Sequence, residues 1–253
     1  MKIEYAAKVD KGTKETNEDR VLVDRHVLDD DSLSGVISIP AVTALCDGCG
    51  GYSGGDVAAQ MVLDILSLEE SDTLCDPEYL SEVLHNCQQQ LMRKKKETPS
   101  LSGMCTTIAG CVFGKDSILI FHSGDSRVYR HDKWSLERMT KDHSVVQAMI
   151  NLGVITPEEA LHHPKRNVIN RCLGAMCLPP EIYVSHMPIQ PGEKYLLCSD
   201  GLWESVRDEE IKEVLDSRLQ TDQMADELIR RACKEGSDDN ISVCLLTCNG
   251  NQN

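Results

Sequence analysis

An α+β fold built on antiparallel sheets is predicted by three features of this 253-residue sequence. Apolar strand-like runs and amphipathic stretches come in blocks (strands, two helices, strands, then helices and a final strand), without the regular alternation that a parallel doubly wound sheet needs. Short turns at Gly114-Lys115-Asp116 and Gly124-Asp125 separate three consecutive strand-like runs and suggest antiparallel hairpins. The chain is long enough to bury a sizeable core, and no Pro-, Gly- or Ser-rich linker interrupts it.

The strand-like runs cover 3–9, 36–46, 104–113, 117–122, 126–130, 182–187, 193–198 and 241–247. Helical periodicity places Val57, Ala58, Met61, Val62, Ile65 and Leu66 on one stripe, with Asp56 near its start. A second stripe holds Tyr79, Leu80, Val83, Leu84, Cys87, Leu91 and Met92, and Asp76-Pro77 reads as its N-cap and first helical residue. A third holds Met224, Ala225, Leu228, Ile229, Ala232 and Cys233; a further helix begins near Asp208, with Ile211, Val214 and Leu215 facing inward. Between 140 and 174 short helical pieces (Val145 to Leu152, Pro157 to Leu161) alternate with polar turns, a flap-like excursion beside strands that carry carboxylates.

A net charge of −15 argues against nucleic-acid or anionic-membrane partners, which are bound through clustered Lys and Arg. The one dense basic run, Arg93-Lys94-Lys95-Lys96, follows a helix and suits its C-terminal dipole. No apolar run is long enough to span a bilayer, and the N-terminus lacks a signal-peptide core, so a cytoplasmic protein is expected. The twelve cysteines then act as small reduced hydrophobes, mostly buried. Cys46-Asp47-Gly48-Cys49 is a C-x-x-C, but no second such pair and no His pair at finger spacing completes a zinc site. A disulfide or captured Zn²⁺ between Cys46 and Cys49 would pull the intervening turn out of shape.

Acidic motifs recur along the chain: Asn17-Glu18-Asp19, Asp47-Gly48-Cys49-Gly50-Gly51, Gly124-Asp125-Ser126-Arg127, Ser199-Asp200-Gly201 and Asp238-Asp239-Asn240. Two apolar strands end in Asp-Gly, at Asp47 and Asp200, and can lie side by side with both carboxylates on one rim. Glycine there lets the backbone turn tightly and expose its carbonyl. Clustered carboxylates repel one another unless a hard divalent cation such as Mg²⁺ or Mn²⁺ offsets them, which points to a metal-dependent hydrolase.

These motifs, with Gly103-Met104-x-Thr106-Thr107, Asp142-His143-Ser144, His163-Pro164, Leu173-Gly174 and Ser199-Asp200-Gly201-Leu202, occur in the order found in the type 2C metal-dependent serine/threonine protein phosphatases. The chain resembles the compact bacterial members over nearly its whole length. The resemblance implies a β-sandwich of two antiparallel sheets flanked by helix pairs, forming a single phosphatase domain over 1–249 with a short polar tail at 250–253. It implies that Asp47 bridges two Mn²⁺ or Mg²⁺ ions, that the Gly48 carbonyl binds one of them and that Asp200 and Asp239 complete the other. Asp125 matches a position that helps hold a weaker third ion, and Glu18 and Asp19 match acids that orient metal-bound water. Hydroxide generated between the ions would attack phosphoserine or phosphothreonine of proteins in line. A serine/threonine kinase is the implied functional counterpart, and a monomer is expected.

Two positions depart from the pattern. Lys14 stands where the family has the phosphate-clamping Arg, supplying charge without a bidentate fork. Cys49 stands where many eukaryotic members have His and bacterial ones often Met. Lys14 is also the main support for the rival reading, a catalytically weak or silent module that binds phosphoproteins. Cys87 and Arg93 have C-x5-R spacing, but the residues between them are helical and lack glycine; the run from Gly50 to Gly55 has no Gly-Lys-Ser/Thr and is no P-loop.

Overall fold

The computed structural model describes residues 1–49, 54–175, 178–185 and 189–250. Gly50 and Gly51 of the second acidic motif, the end of the strand predicted at 182–187 and the tail beyond 250 fall outside them.

Two six-stranded antiparallel sheets stack face to face. The first runs β4 (Ser32–Ser38), β1 (Lys2–Asp10), β12 (Ile241–Asn249), β11 (Lys194–Cys198), β8 (Arg127–His131), β9 (Leu136–Arg138). The second runs β10 (Glu181–Ser185), β7 (Ile118–Ser123), β6 (Ile108–Phe113), β5 (Ala41–Asp47), β2 (Asp19–Val23), β3 (His26–Leu28).

Period-two patterning sorts each strand between two apolar layers. In β5, Val42, Ala44 and Cys46 face the helices while Leu45 faces the opposite sheet. In β12, Val243 and Leu245 face outward and Cys244 and Leu246 inward. On the second sheet lie α1 (Gly55–Leu68) and α3 (Pro77–Glu97), joined by α2 (Ser71–Leu74), which bury Ala58, Val62, Leu66, Leu80, Leu84 and Leu91. On the first lie α6 (Asp200–Trp203), α7 (Asp208–Asp216) and α8 (Thr221–Lys234), which bury Leu202, Ile211, Leu215, Met224 and Leu228. Each fully buried leucine contributes roughly 1.5–3 kcal/mol relative to an exposed one. The Asp76 side chain caps α3 by accepting from Glu78 N, with Pro77 at the first helical position as expected. Within the 140–174 segment are α4 (Val145–Asn151) and α5 (Pro157–Ala160).

The structure corrects the predicted strands in three places. The run 36–46 is two strands, β4 and β5, in different sheets, divided at Pro40, which has no N–H for a ladder. The run 104–113 is regular strand only from Ile108; ahead of it Thr106 makes single bridges to Gly48 and Leu173. Gly114-Lys115-Asp116 does close a hairpin, but Gly124-Asp125 does not, because β7 and β8 belong to different sheets. Gly124, at φ +121°, carries the chain across the sandwich, and a Cβ there would lie 2.6 Å from the Thr107 side chain. Strands β2, β3 and β9 were not expected. β2 opens on Asp-Arg, and Val21, Leu22 and Val23 are all buried between two apolar layers, so no alternation marks it.

Candidate metal centre

Strand parity brings the acids to one end of the inter-sheet gap. Asp19 and Asp47 are register partners across β2 and β5, and both continue the inward-facing series of Val21 and Leu45. From the other sheet, β11 ends at Cys198, so Asp200 begins α6, and Asp239 lies two residues before β12. The crossing after β7 places Asp125. A cavity of about 360 Å³ is lined by Lys14, Glu18, Asp47, Gly48, Asp125, Asp200 and Asp239, together with Thr107, Asn167 and Ile169. Asp19 sits nearby, 1% exposed. The structure thus gathers the predicted site residues, with one correction: Asp47 and Asp200 do not lie side by side on one sheet but approach from opposite sheets.

The supporting bonds fix the backbone at Asp47, Gly48 and Glu18. Thr107 Oγ1 accepts from Asp47 N at 3.1 Å, Thr107 N donates to Asp47 O at 2.8 Å and Thr106 Oγ1 donates to the same carbonyl at 2.9 Å. Gly48 N donates to Glu18 O at 3.2 Å, and a Cβ on Gly48 would lie 2.5 Å from the Gly55 backbone. Asn240, 5% exposed, accepts from Glu18 N at 2.9 Å and donates to the Lys11 and Thr16 carbonyls at 2.9 and 3.0 Å. One amide therefore ties the loop bearing Lys14 and Glu18 to the start of β12. Removing it leaves buried partners unpaired, at about 1–3 kcal/mol each. Asn240→Ala is expected to loosen this loop, raising KM more than it lowers kcat and exposing the 11–18 amides to hydrogen exchange; unchanged exchange there would show that the loop holds itself.

Among the described residues Arg20 pairs with no acid; it donates to Gln60 Oε1 and to the Asn17 and Asp19 carbonyls. Arg127 is held by both oxygens of Asp142, at 3.0 and 2.7 Å, and stacks on Trp203, whose indole N–H donates to Asp125 O at 3.0 Å. The roles of Thr107, Asn240 and Trp203 escaped the sequence reading: the first two were seen only as members of a motif, and nothing in the residues around Trp203 pointed to Asp125.

Burial pushes Asp47 and Asp200 well above the usual carboxylate range, and the acids around them push further: first Asp19 for Asp47, first Asp125 for Asp200. Burial, then Asp142, raises Asp125 to about 7. Burial raises Asp19 to about 6, against the pull of the Ser242 and Ser199 hydroxyls. Glu18 is raised by burial and then by Asp56. Among the described residues no Lys or Arg lies within 4 Å of the carboxylates of Asp19, Asp47, Asp125 or Asp200; the nearby lysine, Lys14, instead reaches Asp239 Oδ1 at 3.0 Å. Burial lowers the Lys14 pKa, but the hydrogen bond to Asp239 outweighs it and the net shift is upward. Asp19 Oδ2 is buried with no hydrogen-bond partner. An all-oxygen set of mutually repelling carboxylates suits hard divalent cations such as Mn²⁺ and Mg²⁺.

The C-x-x-C does not act as a pair. Cys46 faces the helix layer in the same cluster as Cys87, whereas Cys49 approaches Cys105 and Cys172. Their adjacency in sequence hides the change of direction at the strand end. None of the described cysteines is joined in a disulfide.

The protein phosphatase 2C family model matches residues 21–245. The serine/threonine phosphatase Stp of Listeria welshimeri is 32% identical over 82% of this chain and 84% of its own length. The Mycobacterium tuberculosis phosphatase PstP is 33% identical over 96% of this chain and 44% of its own length, and its crystal structure superposes with a TM-score of 0.85 over 99% of this chain and 100% of that one. The PstP catalytic domain in complex with two manganese ions superposes with a TM-score of 0.81 at 30% identity, over 98% and 99% of the two chains. With its sandwich, its flanking helices and its acidic cavity, the chain belongs to the protein phosphatase 2C family and is a serine/threonine protein phosphatase.

Proposed function

We propose that the chain hydrolyses phosphoserine and phosphothreonine on proteins at a centre where Asp47 and the Gly48 carbonyl hold one of two Mn²⁺ or Mg²⁺ ions, Asp47 bridges to the second, and Asp200 and Asp239 complete it. Asp125 serves a weaker third ion. The observation that carries this reading is the convergence of Asp47, Asp125 and Asp200 on one cavity, with Asp19 and Asp125 buried and, among the described residues, no basic side chain paired to any of the four. When bound, such cations lower the pKa of a water to near neutrality and offset charge on the phosphoryl oxygens. Glu18 and Asp19 accept hydrogen bonds from the attacking water and fix its orientation. Thr106 and Thr107 anchor the main chain from which the Asp47 carboxylate projects. Lys14 must exchange its Asp239 partner for the substrate phosphate, which it meets as a point charge. Asn167 and Ile169 bring the 140–174 excursion to the cavity wall, as a flap over the substrate would.

Residues 1–249 then act as one phosphatase domain opposing a serine/threonine kinase, as a monomer in the cytoplasm. Reduced thiols and the net charge of −15 suit that setting. Among the described residues no helix is long and apolar enough to cross a membrane. A silent phosphoprotein-binding module is disfavoured, since it would have no use for a complete carboxylate set. Titrating Mn²⁺ against a phosphothreonine peptide tests the proposal: phosphate release that rises with Mn²⁺ and stops with chelator supports it, whereas peptide binding without release sinks it.

The Lys14–Asp239 pair makes a second expectation. Lys14→Ala removes both a competitor for Asp239 and a charge for the phosphate, so Mn²⁺ should bind more tightly while the peptide KM rises. Lys14→Arg should lower KM, because a planar fork contacts two phosphate oxygens. If both variants match the wild type in KM and in Mn²⁺ affinity, Lys14 does not contact phosphate.

A further inference from the structure

Three thiols from three separate segments converge beside the carboxylates. Gly48 bridges to Thr106 and Thr106 to Leu173, both antiparallel. The bonds are Cys49 N to Cys105 O at 2.9 Å, Thr106 N to Leu173 O at 3.0 Å and Leu173 N to Thr106 O at 2.9 Å. In this register Cys49 lies opposite Cys105. Cys172 lies diagonal to Cys105 on the same face, because side chains alternate along extended chain. The three Sγ atoms all fall within 4.8 Å of one another. Three thiolates at a metal–sulfur distance of about 2.3 Å stand about 3.8–4.0 Å apart, so a contraction of under about 1 Å closes the set around an ion.

A second such set among the described residues, His122, His143 and Glu181, is held by its own neighbours. His143 Nδ1 accepts from Gly124 N at 3.1 Å, its Nε2 faces Glu181 at 3.3 Å, and His122 Nε2 is engaged with the Lys141 carbonyl at 3.0 Å. The surroundings of the three thiols favour an ion. Cys49 lines the cavity, which gives an ion a way in and water as a further ligand, while Cys172 is 7% exposed. Lys95 Nζ donates to Gly174 O at 2.6 Å, placing a positive charge beside a trithiolate that a divalent ion leaves one unit negative. Sulfur selects thiophilic cations, and carboxylate oxygen selects Mn²⁺ and Mg²⁺.

We propose that Cys49, Cys105 and Cys172 form a second metal site, which binds one thiophilic d¹⁰ cation such as Zn²⁺ and is distinct from the carboxylate centre. Binding exchanges each S–H for a metal–thiolate bond and releases up to three protons to solvent, with no change of oxidation state. An ion there staples the segments around Gly48, Thr106 and Leu173 and braces the turn that presents the Gly48 carbonyl.

Cd²⁺ is the probe, read through thiolate-to-metal absorption in the Asp47→Asn/Asp200→Asn protein, so that the carboxylate centre cannot compete and the result does not depend on its assignment. The absorption is expected to saturate at one Cd²⁺ per chain, to be displaced by Zn²⁺ and to be accompanied by a higher Tm. Cys105→Ser and Cys172→Ser should each weaken binding at least tenfold, and Cys233→Ser, on the exposed face of α8, should leave it unchanged. In the wild-type background Cys105→Ser should keep its Mn²⁺-dependent activity, which reports an intact fold; if it does not fold, Cys172→Ser takes its place. The proposal is overturned by absence of the absorption, or by its persistence in Cys105→Ser/Cys172→Ser.

Discussion

Asp47→Asn and Asp200→Asn are each expected to lower Mn²⁺-supported phosphate release from a phosphothreonine peptide by about a thousandfold, while raising the melting temperature of the chelated protein. The first effect follows from losing an anionic ligand of the proposed centre, because metal-centred charge stabilisation is worth several kcal/mol and each 1.36 kcal/mol is tenfold in rate. The second follows from the repulsion already present: burial and surrounding acids hold both groups far above the ordinary carboxylate range, and a neutral amide relieves that strain. Opposite signs in activity and stability separate ligand loss from unfolding. Near-wild-type turnover of either variant at saturating Mn²⁺ would remove these residues from the centre.

Stability of the chelated protein should fall as pH rises from about 4 to above 7. Asp19 at about 6 and Asp125 at about 7 lie above the ordinary value of 3.8, and Asp47 and Asp200 are raised in the same direction. In this range the folded protein retains protons that the unfolded chain gives up. The resulting stabilisation is full below the unfolded-state pKa and is lost as pH passes through the folded-state values. A net linkage of only roughly 2 kcal/mol would move Tm by about 4–8 °C in a chain of this size. Saturating Mn²⁺ should flatten the profile by replacing protons as the compensating charge. A melting temperature independent of pH between 4 and 8 in chelator would mean that these acids are not mutually repelling in solution.

The helices were legible because α1, α3, α7 and α8 each bury one stripe against a sheet, which writes a 3.6-residue period into the sequence. Strands sandwiched between two apolar layers carry no such mark: β2 reads as a brief apolar run after a charged pair, although it holds the register partner of Asp47. The acids were found because Asp-Gly ends two apolar runs, but which sheet each run joins depends on long-range pairing. Asp47 and Asp200 therefore looked like neighbours in one sheet when they approach from two. Gly124 misled for a related reason, since a left-handed glycine can close a hairpin or carry the chain between layers, and only the contact with Thr107 decides. The cysteine pair shows the same limit. Cys46 and Cys49 are close in sequence, yet the thiols gathered within 4.8 Å of Cys49 come from more than fifty residues away.

The strand order of the first sheet, β4-β1-β12-β11-β8-β9, bears on how the molecule is made. β12 lies between β1 and β11, and it is the last of the twelve strands to be synthesised. Without it, β4-β1 and β11-β8-β9 are separate ribbons with unpaired edges, each resting on the second sheet. Asp239 lies two residues before β12, so the strand that closes the sheet also sets the last of the acids at the cavity.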